Sequence, residues 1–220
     1  MTTVPAGTEP AEDQLAELFD EVVDGRYPPD DGGFSVLPPD QTTGQHAVLC
    51  FTGHAVVASD LPLTEIAALG IDGYGQAHHP DVLRGLAGPG GWIGVLDAVL
   101  VAKGTGVGDT ALTFTDIHHG HHRVAYARET RTEVRVLADE RGLVTLGVGL
   151  GGRTELGIEL VGASPGGGHG RSLLRDVLAE FPAGKPVWAS CAPGNARSLR
   201  ALIGVGFVPV GSEVLLQPAG

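Results

Sequence analysis

The chain of 220 residues is 42% hydrophobic, contains 35 glycines and carries a net charge of −12. This length suffices for one large domain or two small ones with a sizeable core. The negative charge argues against a phosphate backbone as the main ligand and favours cationic ligands such as amines. No apolar run approaches the roughly 18 residues of a membrane helix. Because Cys50 and Cys191 show no pairing pattern, we expect free thiols and a cytoplasmic protein. From the net charge and the lack of a long apolar run, we expect no nucleic-acid or membrane partner.

Hydrophobic periodicity predicts short separate elements in the first half of the chain. A helical stripe of Leu, Phe and Val side chains ends at Gly25, and two apolar runs around Thr52-Gly53 predict a β-hairpin. The other predicted elements are short helices at 62–70 and 80–87, a strand at 96–102 and a linker at 103–109.

The second half has a more regular pattern. After a predicted helix at "HHRVAYARETR", the segments are "TEVRVLAD", "LVTLGVGL" and "TELGIELV" as strands, a helix around Leu173 to Phe181, "PVWASC" as a strand, "NARSLRALIG" as a helix and "FVPVGSEVLL" as a strand. The order β-β-β-α-β-α-β predicts an α/β or α+β layer with a mixed sheet.

A glycine cluster, "GASPGGGHGRSLL" from residue 162, lies between the third of these strands and the helix. A glycine-rich strand-to-helix turn can direct several backbone N–H groups at a diphosphate, with Arg171 alongside as a countercharge. The alternative is a tight turn without a ligand, for which glycine is suited by its conformational freedom.

A second motif, "VWASCAPGNARSLRALIGVGF", places Asn195 at a helix entry and Gly206-Phe207 after that helix. Over residues 109–220 the two motifs together resemble the GNAT superfamily of acyl-CoA-dependent N-acyltransferases. The resemblance implies an α/β (α+β) fold with a mixed, mostly antiparallel sheet flanked by helices. It divides the chain into an added N-terminal α/β region of unknown role, residues 1–108, and a GNAT-like acyl-CoA-binding core, residues 109–220.

The resemblance also implies how acetyl-CoA binds as the acyl donor. The strand at 155–162 bulges and splays from the strand at 186–191, which leaves backbone groups to pair with pantetheine. The amide near Leu160 polarises the thioester carbonyl, and Asn195 contacts the pantetheine arm or the thiol end. The residues implied in holding the pyrophosphate and its surroundings are Gly162, Gly166, Gly167, Gly168, His169, Gly170 and Arg171.

The implied activity is transfer of an acetyl group from acetyl-CoA to an amine of a small molecule. Two positions depart from the family pattern: Pro165 stands in place of an Arg or Gln, and Leu202 in place of a Tyr that protonates the CoA thiolate. The alternative is therefore a degenerate, non-catalytic domain that binds CoA or a protein partner. Apolar terminal strands such as "EVLL" make a homodimer a further expectation.

Glu155 and Glu159 are the candidate catalytic bases, because residues four apart on a strand face the same way. Burial beside the acyl site suits a carboxylate to accept the proton of the amine. Glu159 is preferred because it is nearer the glycine cluster. The alternative is a solvated strand face or an ion pair with Arg153 or Arg135.

Histidines cluster before the first helix of the second half, at His118, His119, His121 and His122. Imidazoles at this density bind transition metals, but among carboxylates and cysteines only Asp116 lies at a matching spacing. We expect a polar linker or a helix start there, and no metal. His54, beside the predicted hairpin, either lines a substrate cleft or lies on the surface.

Overall fold

The structure, a computed structural model, describes residues 13–108, 110, 112–115, 120–162 and 168–219. Within these residues there are eleven β-strands and six α-helices. The strands are β1 (Phe34–Leu37), β2 (His46–Phe51), β3 (His54–Ala58), β4 (Trp92–Ile93), β5 (Asp97–Lys103), β6 (Thr113–Phe114), β7 (Thr132–Asp139), β8 (Gly142–Val148), β9 (Thr154–Leu160), β10 (Pro186–Cys191) and β11 (Val208–Gln217). The helices are α1 (Gln14–Val23), α2 (Leu63–Ala68), α3 (Pro80–Ala87), α4 (His122–Thr130), α5 (His169–Ala179) and α6 (Ala196–Ile203).

All of these strands join one sheet, in the order β1-β3-β2-β11-β5-β10-β9-β8-β7-β6, with β4 paired to β11. Neighbouring strands are antiparallel except for the parallel pairs β1–β3 and β9–β10. The predicted fold class, a mixed and mostly antiparallel sheet flanked by helices, is confirmed. The order of elements in the second half and the hairpin β2–β3 are confirmed as well. The sequence analysis missed β1, β4 and β6, which are too short to show a clear period.

Strand β5 comes from the first half of the chain but lies between β10 and β11, which come from its end. It pairs antiparallel with both, so that Val101 lies opposite Trp188 on one side and Val208 on the other. The sheet therefore continues without interruption through residues from both sides of the predicted boundary at 108, and the division into two regions stays a prediction.

Helices cover both faces of the sheet because successive strand side chains alternate between the faces. On one face, α5 packs on β10 and β9 through Leu173 and Leu174 and α6 through Leu202, while α2 and α3 cover the β2–β3 end. On the other face, α1 buries its predicted stripe against β2, β3 and Trp188, and α4 lies over β7, β8 and β9. The gap between β9 and β10 is thus flanked by α5 and α6 on one face of the sheet and by α4 on the other.

Strand β11 is hydrogen-bonded to β2 along one edge and to β5 along the other. The "EVLL" segment therefore offers no free edge to a second copy, and the homodimer stays a prediction. No helix in the described part of the chain is long and apolar enough to cross a bilayer.

Candidate active-site cleft

The parallel strands β9 and β10 separate shortly after they meet. They pair only at Glu155 with Trp188 and at Leu156 with Ala189, although both strands continue beyond these positions. The splay expected between them is present. The expected bulge in β9 is wrong, because β9 pairs with β8 in unbroken register from Thr154 to Leu160.

The separation leaves backbone groups of β9 without a strand partner. The N–H of Val161 donates to the carbonyl of Arg141 on the β8 side at 3.0 Å. Because bonding alternates along an antiparallel ladder, Ile158 and Leu160 direct their N–H and C=O groups the other way, towards the gap. The amide of Leu160 therefore faces the gap, and its expected role towards a thioester carbonyl stays a prediction.

A cleft of about 260 Å³ occupies the gap. Its walls come from β9, β10, α4, the start of α6 and the strand ends of β5 and β11. The polar and reactive side chains among its lining residues are Asp97, Arg123, Tyr126, Thr130, Arg131, Thr145, Glu155, Ser190, Cys191, Asn195, Ser198 and Glu213.

The predicted glycine turn lies between the end of β9 and the start of α5. Gly168 immediately precedes the helix with φ 72°, a left-handed conformation that favours glycine. A β-carbon on Gly170 would lie 3.4 Å from Leu160 Cδ1, so the start of α5 packs closely on the end of β9. Gly162, at the end of β9, also has a positive φ, 56°. His169 is the exposed first residue of α5.

Residues 163–167 of the predicted loop, which include Pro165, Gly166 and Gly167, lie outside the described residues. Arg171 lies against the last turn of α6, where its Cδ is 3.1 Å from the position of a β-carbon on Gly204. Its side chain therefore connects the start of α5 with the end of α6.

Asn195 is the N-cap of α6 and lines the cleft. Its side-chain oxygen accepts a hydrogen bond from the N–H of Ser198 at 3.2 Å, which stabilises the helix start. Cys191, a free cysteine, lies beside it and donates from its thiol to the carbonyl of Asn195 at 3.8 Å; burial raises the pKa of that thiol. Leu202, 5% exposed, brings an apolar side chain where the related Tyr would bring a hydroxyl.

On the α4 side, four neighbouring strands each place one polar side chain on the same face. They are Glu213 on β11, Asp97 on β5, Ser190 on β10 and Glu155 on β9. Ser190 donates to Glu213 at 2.6 Å. The sequence analysis did not single out Asp97 or Glu213, because neither lies in a motif.

Arg153 joins two of these carboxylates in the interior. Its Nη2 lies 2.5 Å from Glu155 and 2.9 Å from Glu213, and its guanidinium also lies over the ring of Phe19, 4.2 Å from the centroid. Arg131 adds a second guanidinium at 2.8 Å from Glu155. All four of these charged side chains are at least nine-tenths buried.

The pKa of Glu155 reflects two opposing effects. Burial acts to raise it, but the charges of Arg153 and Arg131 outweigh burial and lower the pKa below its ordinary value. A carboxylate held by two guanidiniums is a weak proton acceptor. The ion pair with Arg153 was the expected alternative for this residue. The second partner is Arg131, while Arg135 lies over Phe114 instead.

The pKa of Asp97 is shifted in the opposite direction. Burial raises its pKa to about 6, and the carboxylates of Glu213 and Glu155 add to this effect while Arg131 opposes it. Tyr126 of α4 lines the same part of the cleft, and its pKa is raised by burial and then by the charge of Asp97.

Glu159, the preferred candidate base, lies in a different cluster near the start of α4. It accepts from Arg123 Nε at 3.1 Å and contacts His122 Nε2 at 3.2 Å and His121 Nε2 at 3.7 Å. It is not among the residues that line the cleft. The two carboxylates predicted as a pair on one strand face are therefore separated into an interior network and a cluster at the start of α4.

His121, His122 and Glu159 bring three potential metal ligands within 4.8 Å of one another. Two contacts oppose a metal there. Arg123 Nε already binds the Glu159 carboxylate, and the Nδ1 atom of His121 accepts from the N–H of Arg123, which leaves the proton of a neutral ring on Nε2. The expected helix start is confirmed, since His121 caps α4. His118, His119 and Asp116 lie outside the described residues.

His54 is neither on the surface nor in the cleft, so both expectations for it are wrong. It is 6% exposed and begins β3, where its ring contacts Asp31 Oδ1 at 2.8 Å and Ser35 Oγ at 3.3 Å. Pairing across the hairpin turns this side chain inward onto β1.

Comparison with solved structures finds several proteins to which this chain is similar. A GCN5-related N-acetyltransferase from Kribbella flavida is 11% identical, with 96% of each chain covered and a TM-score of 0.42. A GNAT-family acetyltransferase from Colwellia psychrerythraea is 11% identical over 58% of this chain and 57% of its own, with a TM-score of 0.38. A functionally unknown conserved protein from Staphylococcus epidermidis is 12% identical over 64% and 68%, with a TM-score of 0.40. No protein-family model and no curated protein matches the chain.

Two of these solved structures are named acetyltransferases of the GNAT type, the superfamily that the sequence motifs resemble. The class defined by the fold is a mixed α/β protein with a cleft between two splayed parallel strands. What the cleft does has to be argued from its own residues.

Proposed function

We propose that the protein is an N-acetyltransferase that moves an acetyl group from acetyl-CoA to an amine of a small molecule. The observation that carries the proposal is the gap between β9 and β10, flanked by two helices that begin beside it. The N–H and C=O groups of Ile158 and Leu160, which pair with no described strand on the β10 side, suit an amide-containing arm such as pantetheine, because an extended ligand can pair with them as a strand would.

The charges on the α5–α6 side support a phosphate-bearing donor. Residues 169–203 contain five basic and two acidic residues, in a chain whose net charge is −12. The basic residues of this segment are Arg171, Arg175, Lys185, Arg197 and Arg200. A local excess of positive charge on an acidic protein favours a polyanion at that place.

Distances along α6 also suit a long donor. The start of α6 lies at the cleft through Asn195, whereas Ala201 near its end faces the start of α5, 3.9 Å from the position of a β-carbon on Gly170. Eight helical residues span about 12 Å. A donor with its phosphates at the α5 N-terminus and its thioester near Asn195 would follow this helix, which would place the two ends of acetyl-CoA at the two predicted motifs.

The groups near Asn195 suit acyl transfer. The Leu160 N–H and the Asn195 side-chain amide are hydrogen-bond donors for a carbonyl oxygen that gains negative charge. In place of the hydroxyl absent at Leu202, Ser198 and Tyr126 bring hydroxyls to the cleft as proton donors to a leaving thiolate.

Isothermal titration with acetyl-CoA, CoA and 3′-dephospho-CoA tests donor binding. We expect micromolar binding that weakens when the phosphate is removed. Asn195→Ser keeps a cap for α6 but removes the amide donor, so it is expected to weaken acetyl-CoA binding. Asp13→Ala removes the corresponding cap of α1 far from the cleft and is the matched control. Absence of binding at millimolar acetyl-CoA would contradict the proposal.

The second candidate is a non-catalytic domain that binds CoA or a protein partner, and Leu202 is the observation that favours it. Release of free thiol from acetyl-CoA with a panel of amines separates the two candidates. Tight CoA binding without turnover of any amine would favour the second. A cytoplasmic location belongs to the main proposal and is supported by two unpaired cysteines, Cys50 and Cys191.

A further inference from the structure

We infer that Asp97 is the residue that binds the ammonium group of the acceptor and takes its proton, and that the acceptor is a primary amine without a neighbouring carboxylate. This inference rests on the proposed acetyl transfer and assigns its acceptor side. It moves the role of base from Glu155 and Glu159 to a residue outside both sequence motifs.

The position of Asp97 is the first support. It begins β5, next to the end of β10, and its side chain faces the cleft from the α4 side of the sheet. Asn195 and Ser198 line the cleft from the start of α6. An amine at Asp97 and a thioester near Asn195 would thus approach each other through the gap between β9 and β10.

The partners of the surrounding charges are the second support. Glu155 of β9 is held by Arg153 and Arg131, and Glu213 of β11 by Arg153 and Ser190. The Asp97 carboxylate forms no ion pair and no hydrogen bond with the described residues, and the neighbouring charges act on it only through longer-range electrostatics.

One carboxylate in this part of the cleft therefore has no guanidinium to neutralise it and can bind a cation. Three carboxylates, on Asp97, Glu155 and Glu213, face two guanidiniums, on Arg131 and Arg153. An ammonium ion at Asp97 would neutralise the remaining negative charge. A carboxylate on the ligand at this point would add to it, which is why the inferred acceptor lacks one.

The side chains that line the cleft around Asp97 indicate which substituent the acceptor amine carries. Val95 and Leu215 bring apolar surface and Tyr126 brings a phenol ring to this end of the cleft. An aromatic ring near a carboxylate suits an organic cation with an apolar substituent. An aralkylamine fits this chemistry better than an amino acid or a sugar amine.

The transfer step balances with Asp97 as base. The ammonium gives one proton to the Asp97 carboxylate, and the freed nitrogen lone pair forms the N–C bond to the acetyl carbon as the C–S bond breaks. The leaving sulfur keeps that electron pair and takes the second nitrogen proton, directly or through a hydroxyl such as that of Tyr126. The products are the amide and the free thiol, and Asp97 returns its proton to solvent.

The groups that set the ionisation of Asp97 come from every neighbouring element. Glu213 from β11, Glu155 from β9 and Arg131 at the end of α4 act on the Asp97 carboxylate. Tyr126 from α4 and Cys191 from β10 are the titratable groups whose own pKa values Asp97 raises. Because burial and the two glutamates raise the pKa of Asp97 to about 6, a base in this position makes kcat/KM for the amine rise with pH through that region.

The test compares Asp97→Asn, Asp97→Glu and the wild type, with Asp81→Asn, an exposed carboxylate on α3, as the control. Acetyl-CoA binding is measured by titration, and kcat/KM for phenethylamine and for phenylalanine is measured from pH 5 to 9. The wild type should prefer phenethylamine. Asp97→Asn should lower kcat/KM for the amine by about 100-fold or more and remove the ionisation near pH 6. Asp97→Glu should restore part of the rate and shift the ionisation.

The outcomes separate this inference from the proposed function. If the wild type binds no acetyl-CoA, both the proposed function and the inference about Asp97 are overturned. An active wild type whose Asp97→Asn variant keeps its rate and pH profile overturns the inference and leaves acetyl transfer standing. Loss of acetyl-CoA binding in Asp97→Asn, with the wild type active, also overturns it, because Asp97 would then act on the donor or the fold. Preference for phenylalanine overturns the inferred acceptor.

Discussion

Asp97 and Glu213 lie directly opposite each other on β5 and β11, with both carboxylates on the face that α4 covers. Like charges at opposed positions of antiparallel strands are destabilising. Arg153 compensates Glu213 with an ion pair, and Asp97 has no such partner among the described residues. The strand pairing that builds the cleft thus also places the Asp97 carboxylate where its negative charge destabilises the folded state.

This cost predicts a pH-dependent effect of Asp97→Asn on stability. Because the pKa of Asp97 is raised from 3.8 to about 6 in the folded state, its contribution to stability is present below the unfolded pKa and is lost as pH rises through about 6. Removing the carboxylate should therefore stabilise the protein at pH 8, by about 1–2 kcal/mol after allowance for solvent screening, and have little effect at pH 4.

Thermal unfolding at the two pH values checks this prediction. A gain of about 1–2 kcal/mol corresponds to roughly 2–8 °C in Tm for a chain of this size. Asp81→Asn, on the exposed face of α3, should leave Tm nearly unchanged at both pH values. An equal change at pH 4 and pH 8 in the Asp97 variant would contradict the argument.

Arg153→Met should destabilise the protein strongly. The substitution leaves Glu155 and Glu213 without the guanidinium that they share in the interior, and breaking a buried ion pair on one side costs about 3–5 kcal/mol. Urea unfolding measures the loss. Arg26→Met, which removes an exposed ion pair with Asp24, is the control and should cost less than about 1 kcal/mol. A loss as small as that of the control would mean that the interior carboxylates are protonated.

Glu159→Gln should leave acetyl transfer nearly intact. Glu159 does not line the cleft, although its partner Arg123 does, so its loss should change kcat/KM for the amine by less than about threefold. The same assay as for Asp97→Asn provides the comparison. A loss of about 100-fold here, with Asp97→Asn active, would return the role of base to Glu159.

Gly53→Ala should weaken the β2–β3 hairpin. Gly53 has φ 70°, and a β-carbon there would overlap the Asp30 side chain, so we expect a cost of about 1–3 kcal/mol. Gly184→Ala has a similar φ, 85°, but open space around the added atom, and should cost about 1 kcal/mol or less. Thermal unfolding of both variants separates the steric contribution from the conformational one.

The elements were predictable where the signal is local. The stripe on α1, the hairpin around Thr52-Gly53 and the helix after the glycine cluster follow from side-chain periodicity and glycine positions within a few residues of each other. The place of Asn195 as a helix cap followed in the same way, since its side chain bonds to a backbone group three residues away.

The predicted bases, Glu155 and Glu159, show what strand periodicity cannot predict. Equal spacing places Glu155 and Glu159 on one face of β9, but Arg131 and Arg153 hold the first and Arg123 holds the second. A strand pattern reports the side to which a residue points and carries no information about which charges other elements bring to it.

The sequence by itself determined the helices, most strands and the two motifs beside the cleft, because these depend on neighbours along the chain. Only the tertiary structure decided that β5 enters between β10 and β11, and that Arg153 meets Glu213, 60 residues away. Pairing of distant strands is selected by the burial of whole faces together, and this selection brought Asp97 to the cleft.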